Sequence, residues 1–109
     1  MADIGGSLVD MQEHIRLIVL IEVQPGKADE QIGLYRKIRP LVLAEEGCLA
    51  YELSAVSGSD VKFVLSERWE SREALAAHDR SPHMTAADSV SPSFRAGPAT
   101  VLELSEIEG

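Results

Sequence analysis

Residues 61–83, VKFVLSERWESREALAAHDRSPH, change periodicity part-way and so set the architecture. From Val61 to Trp69 the side chains alternate. Phe63, Leu65, Glu67 and Trp69 share one face of a strand, and Val64, Ser66 and Arg68 share the other. Ser71 then offers an N-cap for a short helix to about His78, with Ala74, Leu75 and Ala77 available to pack. Ser81-Pro82 is a stronger start, a capping serine before proline at the first helical position, and predicts a further helix to roughly Asp88. The stretch also carries most of the chemically capable side chains of the chain, among them Glu67, Trp69, His78 and His83.

Upstream, IRLIVLIEV (Ile15 to Val23) reads as a strand with Ile15, Leu17, Val19, Ile21 and Val23 on one apolar face and Arg16, Ile18, Leu20 and Glu22 on the other. Gln24-Pro25-Gly26-Lys27 makes a turn. Between Asp29 and Glu46, Ile32, Tyr35, Ile38, Leu41 and Val42 recur at helical spacing. Pro40 lies inside that stripe and predicts a kink or break near Ile38, and Gly47 a C-terminal stop. Cys48 to Val56 reads as a second strand, with Leu49, Tyr51 and Leu53 on one face, joined by the Ser57–Asp60 loop to the strand that follows. Downstream, Ser91-Pro92 and Gly97-Pro98 punctuate the chain before a last strand, Ala99 to Ser105. The order β-α-β-β-α-(α)-β predicts an α+β fold of the ferredoxin-like, split βαβ kind, an antiparallel sheet with its helices on one face.

The 109 residues fit one domain. Residues 1–13 read as an N-terminal extension and 14–109 as the domain. A formal charge of −8 argues against nucleic acid or an anionic membrane as a partner. No apolar run reaches the roughly 20 residues needed to span a bilayer. The N-terminus lacks a secretory pattern, and a single cysteine, Cys48, rules out an intrachain disulfide. A cytoplasmic protein is expected.

Helices on one side leave the other sheet face bare. Ile18 and Leu20 fall there, and Phe63, Leu65 and Trp69 are expected to join them. So large an apolar surface predicts a homodimer with two sheets packed face to face, a dimeric α+β barrel. Arg16, Glu22 and Glu67 would then sit inside or at the rim of the enclosed cavity.

Each candidate has a structural reading beside the functional one. His78 suits a helix C-terminal position, and as an imidazole also suits proton transfer. His83 lies in a first helical turn, and is either a packed residue helping the helix start or a neutral donor where free N–H groups hold anions. Trp69 suits either stacking on a flat substrate or the core. Glu67, enclosed by Phe63, Leu65 and Trp69, is either a base of raised pKa or the partner of Arg16 or of a second subunit's Arg68. Tyr51 is a strand aromatic able to line a cavity. The histidines and carboxylates show no recognisable metal-ligand spacing, and there is no Gly-rich phosphate loop.

The turn QPGK, the segment EEGCLAYEL at the second strand, and SERWESREALAAHDRSPH together resemble the antibiotic biosynthesis monooxygenase family, and more narrowly its small quinol-monooxygenase-like members. The similarity runs from about Ile15 to Leu104. The resemblance implies a dimeric α+β barrel that oxygenates small quinols or polycyclic phenols with O2, without metal, flavin or haem. The candidate catalytic groups are His78, where the resemblance adds most, with His83 and Glu67, and the candidate substrate-binding ones are Trp69, Tyr51, Phe63 and Leu20. Two other functions suit the same residues: an isomerase or proton-transfer enzyme acting on a small polar metabolite, phosphorylated or not, and a non-catalytic dimeric binding module.

Overall fold

The computed structural model describes residues 14–108; the expected N-terminal extension lies outside them. The elements are β1 (Ile15–Glu22), α1 (Ala28–Leu43), β2 (Cys48–Ala55), β3 (Lys62–Trp69), α2 (Arg72–Asp79), α3 (Pro82–Val90), a 3-10 turn (Ser91–Ser93) and β4 (Thr100–Leu104). All strand pairs are antiparallel, in the order β2-β3-β1-β4. This is the α+β ferredoxin-like arrangement that the order of elements predicts. No helix of the described residues is long and apolar enough to cross a membrane.

Local chemistry sets the helix boundaries. The Ser71 hydroxyl accepts from the Ala74 amide at 3.1 Å and starts α2. Ser81 caps α3 in the same way through Met84, with Pro82 at the first helical position. The expected break in α1 does not occur: the helix is continuous through Pro40 to Leu43. Proline removes only the bond to the Arg36 carbonyl, and Arg36 is exposed, so water can serve it. Ile38 and Val42, on either side, stay on the buried stripe.

The pairing register corrects the expected division of faces. Ile15 lies opposite Trp69, Leu17 opposite Glu67, Val19 opposite Leu65 and Ile21 opposite Phe63. Directly opposed residues share a face. Phe63, Leu65, Glu67 and Trp69 therefore join the β1 core residues under the helices and are all buried. The bare face instead holds Ile18, Leu20, Val64, Leu102 and Leu104, with Arg16 and Arg68 side by side. Glu67 and the two arginines are on opposite sides of the sheet, so the expected Glu67–arginine pair is not made. A bulge between Cys48 and Ala50 corrects β2 as well. It puts Cys48 on the face of Tyr51 and Leu53 and leaves Leu49 half exposed.

Candidate active site

Between the sheet and helices α1 and α3 lies a cavity of about 200 Å³. Tyr51 and Glu67 reach it from the sheet, His78 from α2, Asp88 from α3, Gln31 from α1 and Arg95 from the turn before β4. Asp79 and Ser91 also line it, and Ile38, Leu53, Leu65 and Met84 are among its apolar walls. A small apolar space with a few converging polar groups is the usual form of a small-molecule site.

Its most organised group is a cluster assembled from three segments. Glu45 lies in the turn between α1 and β2. Gly47, two residues on, has φ +82°, and a side chain there would meet the Ala74 Cβ at 2.6 Å. Glycine thus lets α2 lie directly on this turn. His78 follows Ala74 by one helical turn and so comes down over Glu45. Its Nδ1 is 2.9 Å from Glu45 Oε2 and 3.2 Å from Oε1. His83 Nε2 approaches the same Oε2 at 2.6 Å. Ser81 joins the two helices, its hydroxyl donating to the His78 carbonyl at 2.7 Å.

The tautomer of His78 follows from these contacts. An ionised carboxylate only accepts, so the ring nitrogen facing Glu45 carries the proton. In the neutral ring Nε2 then keeps its lone pair, on the edge left to face the cavity. Trp69 fixes the ring plane, with centroids 4.5 Å apart, and Tyr51 meets it edge-on at 5.8 Å. His78 is 2% exposed, so its ring is held out of bulk water.

Glu67 accepts a hydrogen bond from Trp69 Nε1 at 2.9 Å. Burial pushes its carboxyl above the usual range, against the lowering effects of the Trp69 N–H and the nearby His78. Burial, reinforced by the negative charge of Glu67, likewise pushes the Tyr51 phenol up, so it stays a donor at neutral pH. Arg95 donates from Nε to Gln31 Oε1 at 3.1 Å, and desolvation lowers its pKa without removing its charge at neutral pH. Beside the carboxyl groups of Glu67, Asp79 and Asp88, the cavity therefore offers one imidazole acceptor, a phenol donor and a guanidinium.

The sequence candidates separate in space. His78, Glu67 and Tyr51 line the cavity. Trp69 is fully buried beneath His78 and outside the lining. His83 is on the outer side of Glu45, partly exposed. Phe63 and Leu20 line a different, open depression near Gly97 and Pro98. Sequence reasoning missed Glu45, Gln31, Asp88 and Arg95. Glu45 lies 33 residues from His78, and no local spacing connects them; only its place in the EEG turn drew attention to it.

The model of the family described as "Antibiotic biosynthesis monooxygenase" matches residues 14–89. The protein named "Probable quinol monooxygenase YgiN" of Escherichia coli (strain K12) is 37% identical over 82 residues, covering 66% of this chain and 79% of that protein. Among solved structures, Rv0793 from Mycobacterium tuberculosis superposes with a TM-score of 0.80 at 25% identity, covering 88% of this chain and 97% of the other. PA3566 from Pseudomonas aeruginosa gives 0.82 at 23% identity, with 90% and 98% covered.

Proposed function

The chain belongs to the antibiotic biosynthesis monooxygenase family, and on that premise we propose that it oxygenates a small quinol or phenol with O2 in the cavity beneath α1 and α3. The observation that carries this is the Glu45–His78 pair, which leaves an unprotonated imidazole nitrogen on a ring lining a partly open cavity of mixed apolar and polar walls. The named E. coli relative supports the quinol substrate class.

In this reading a quinol hydroxyl gives its proton to His78 Nε2, while Glu45 holds Nδ1–H and stabilises the imidazolium that forms. Arg95 and the Tyr51 hydroxyl line the same cavity and face the developing phenolate oxygen. The electron-rich ring then transfers electrons to O2. One oxygen atom enters the ring and the other leaves as water, so a quinol and O2 give a hydroxyquinone and water. Glu67, whose carboxyl burial holds above its usual range, supplies a second proton position within the same space. Residues 14–109 act as one domain, and the bare face bearing Ile18, Leu20, Leu102 and Leu104 supports pairing of two copies as a homodimer. The acidic charge and the lack of a membrane-spanning helix among the described residues support a cytoplasmic location.

Oxygen uptake with chemically reduced naphthoquinols tests the reaction, with product analysis for hydroxyquinone. Activity is expected in the native protein and a loss of at least about 100-fold in His78→Ala. No uptake above the protein-free rate across several quinols would reject the oxygenase reading. Full activity in His78→Ala would reject the base. Light scattering that finds monomers at micromolar concentration would reject the dimer.

A further inference from the structure

Glu45, His78 and His83 place one carboxylate oxygen and two imidazole nitrogens within 4.8 Å of one another. Two-imidazole, one-carboxylate sets suit borderline divalent ions of the zinc class. Three features make the cluster more than a chance meeting. The groups come from three segments held by Gly47, the Ser81 cap and the Trp69–His78 stack, so they converge without a flexible loop among them. The side chains of Glu45 and His83 are 14% and 18% exposed, which leaves an outer side for entry and for a water ligand. Glu46, Glu70 and Glu73 line the adjoining depression together with Glu45, so the approach itself is acidic.

We propose that this cluster binds a zinc-class divalent cation through Glu45, His78 Nδ1 and His83 Nε2, and that binding reverses the tautomer of His78. The ion would take the place of the two N–H···O bonds now at 2.9 and 2.6 Å. Tetrahedral coordination at ordinary bond lengths separates ligand atoms by roughly 3.3 Å. Each imidazole would withdraw from Glu45 by about half an ångström, and the two ring nitrogens, within 4.8 Å of each other, would close by up to about 1.5 Å.

The proton balance gives the consequence. A ligating nitrogen must present its lone pair, so Nδ1 of His78 gives up its proton and Nε2 carries one. The cavity then faces a donor instead of an acceptor. If His78 is the base proposed above, the occupied site is an inhibited state. That last step rests on the oxygenase reading, whereas binding and tautomer reversal do not.

The test uses the full chain, titrated with Zn²⁺ by calorimetry and with Co²⁺ by visible d–d absorption, and nitrogen-15 NMR of its three histidines. One ion per chain is expected, with Kd of about 10 μM or tighter. His83→Ala and Glu45→Gln should each weaken binding at least about tenfold. Urea unfolding of both variants checks that the fold is kept, and Glu45→Gln preserves shape if His83→Ala does not fold. In the metal-free protein the His78 proton should reside on Nδ1, and with Zn²⁺ on Nε2. No saturable binding up to about 1 mM, or unchanged affinity in Glu45→Gln, would overturn the site. Binding with the Nδ1 proton retained would overturn the tautomer reversal. Neither outcome depends on whether quinol is turned over.

Discussion

Substituting Gly47 by alanine should loosen the fold and the site together. The added methyl meets two separate costs. The residue is at φ +82°, where an L side chain costs roughly 1 kcal/mol. The new Cβ would also lie 2.6 Å from the Ala74 Cβ and 3.5 Å from the Glu70 Cβ. Neither neighbour is the end of a flexible side chain, so α2 or the turn must move, at about 1–3 kcal/mol. The sum, about 2–4 kcal/mol, is a large share of a small domain's stability. With a urea m value of about 1.5 kcal/mol/M, the midpoint falls by roughly 1.3–2.7 M. Fluorescence of Trp69, the single tryptophan, follows unfolding and also reports the His78 ring stacked on it. Relief of the clash pushes His78 away from Glu45, so native-state emission should change before any unfolding. Adding Ala74→Gly removes the steric cost but leaves the backbone strain, so a double-mutant cycle should give a coupling of about 1–3 kcal/mol. A Gly47→Ala protein within about 0.5 kcal/mol of wild type, or a cycle that adds without coupling, would refute the close-approach account.

Burial holds the Glu67 carboxyl above the 4.5 of the unfolded chain. The fold thus prefers the protonated form, and stability is lost as pH rises through the folded value. Glu67→Gln, which still accepts from Trp69 Nε1, should match wild type near pH 4 and exceed it at pH 8. The gain is about 1.4 kcal/mol for each unit of elevation, and urea titrations showing a pH-independent difference would contradict the burial. Pro40→Ala restores a helical N–H and should raise stability by about 1–2 kcal/mol, net of the extra freedom of the unfolded chain; a fall in the urea midpoint would show that the proline is needed for packing. The Arg72–Glu103 pair at 2.7 Å is fully solvated, so Arg72→Ala should leave the thermal midpoint unchanged. Arg95→Met should raise Kd for a phenolate inhibitor about tenfold and leave a neutral analogue's unchanged, measured by calorimetry.

The elements were readable because their signals are local: Ser71 and Ser81-Pro82 announce helices by their own chemistry, and Ile15 to Val23 alternates within itself. What the chain order hides is pairing. Whether Phe63 and Trp69 face the helices depends on which β1 residue each opposes, a property of two strands and of neither alone. The bulge at Leu49 inverts the parity of residues before it without any glycine to mark it. Pro40 was a true local signal overridden by tertiary packing, since Ile38 and Val42 remain buried on either side of it. His78 and Glu67 were found as residue types in a suggestive stretch. Glu45 and Arg95 were not, because the contacts that give them meaning span 33 residues for His78–Glu45 and 64 for Arg95–Gln31.

The strand order has a bearing on how such a site comes into being. Up to the Ser57–Asp60 loop the chain supplies β1 and β2, which never touch each other because β3 lies between them. Beyond the loop it supplies β3 and β4, likewise kept apart by β1. Each half is therefore a set of alternate slats without the intervening ones, and each carries only part of the cluster: Glu45 in one, both histidines in the other. A chain severed within 57–60 should yield two fragments that are separately unstructured and that recover the Glu45–His78 contact only on mixing. The site would then appear in a single bimolecular step, making it a natural reporter for split-protein complementation.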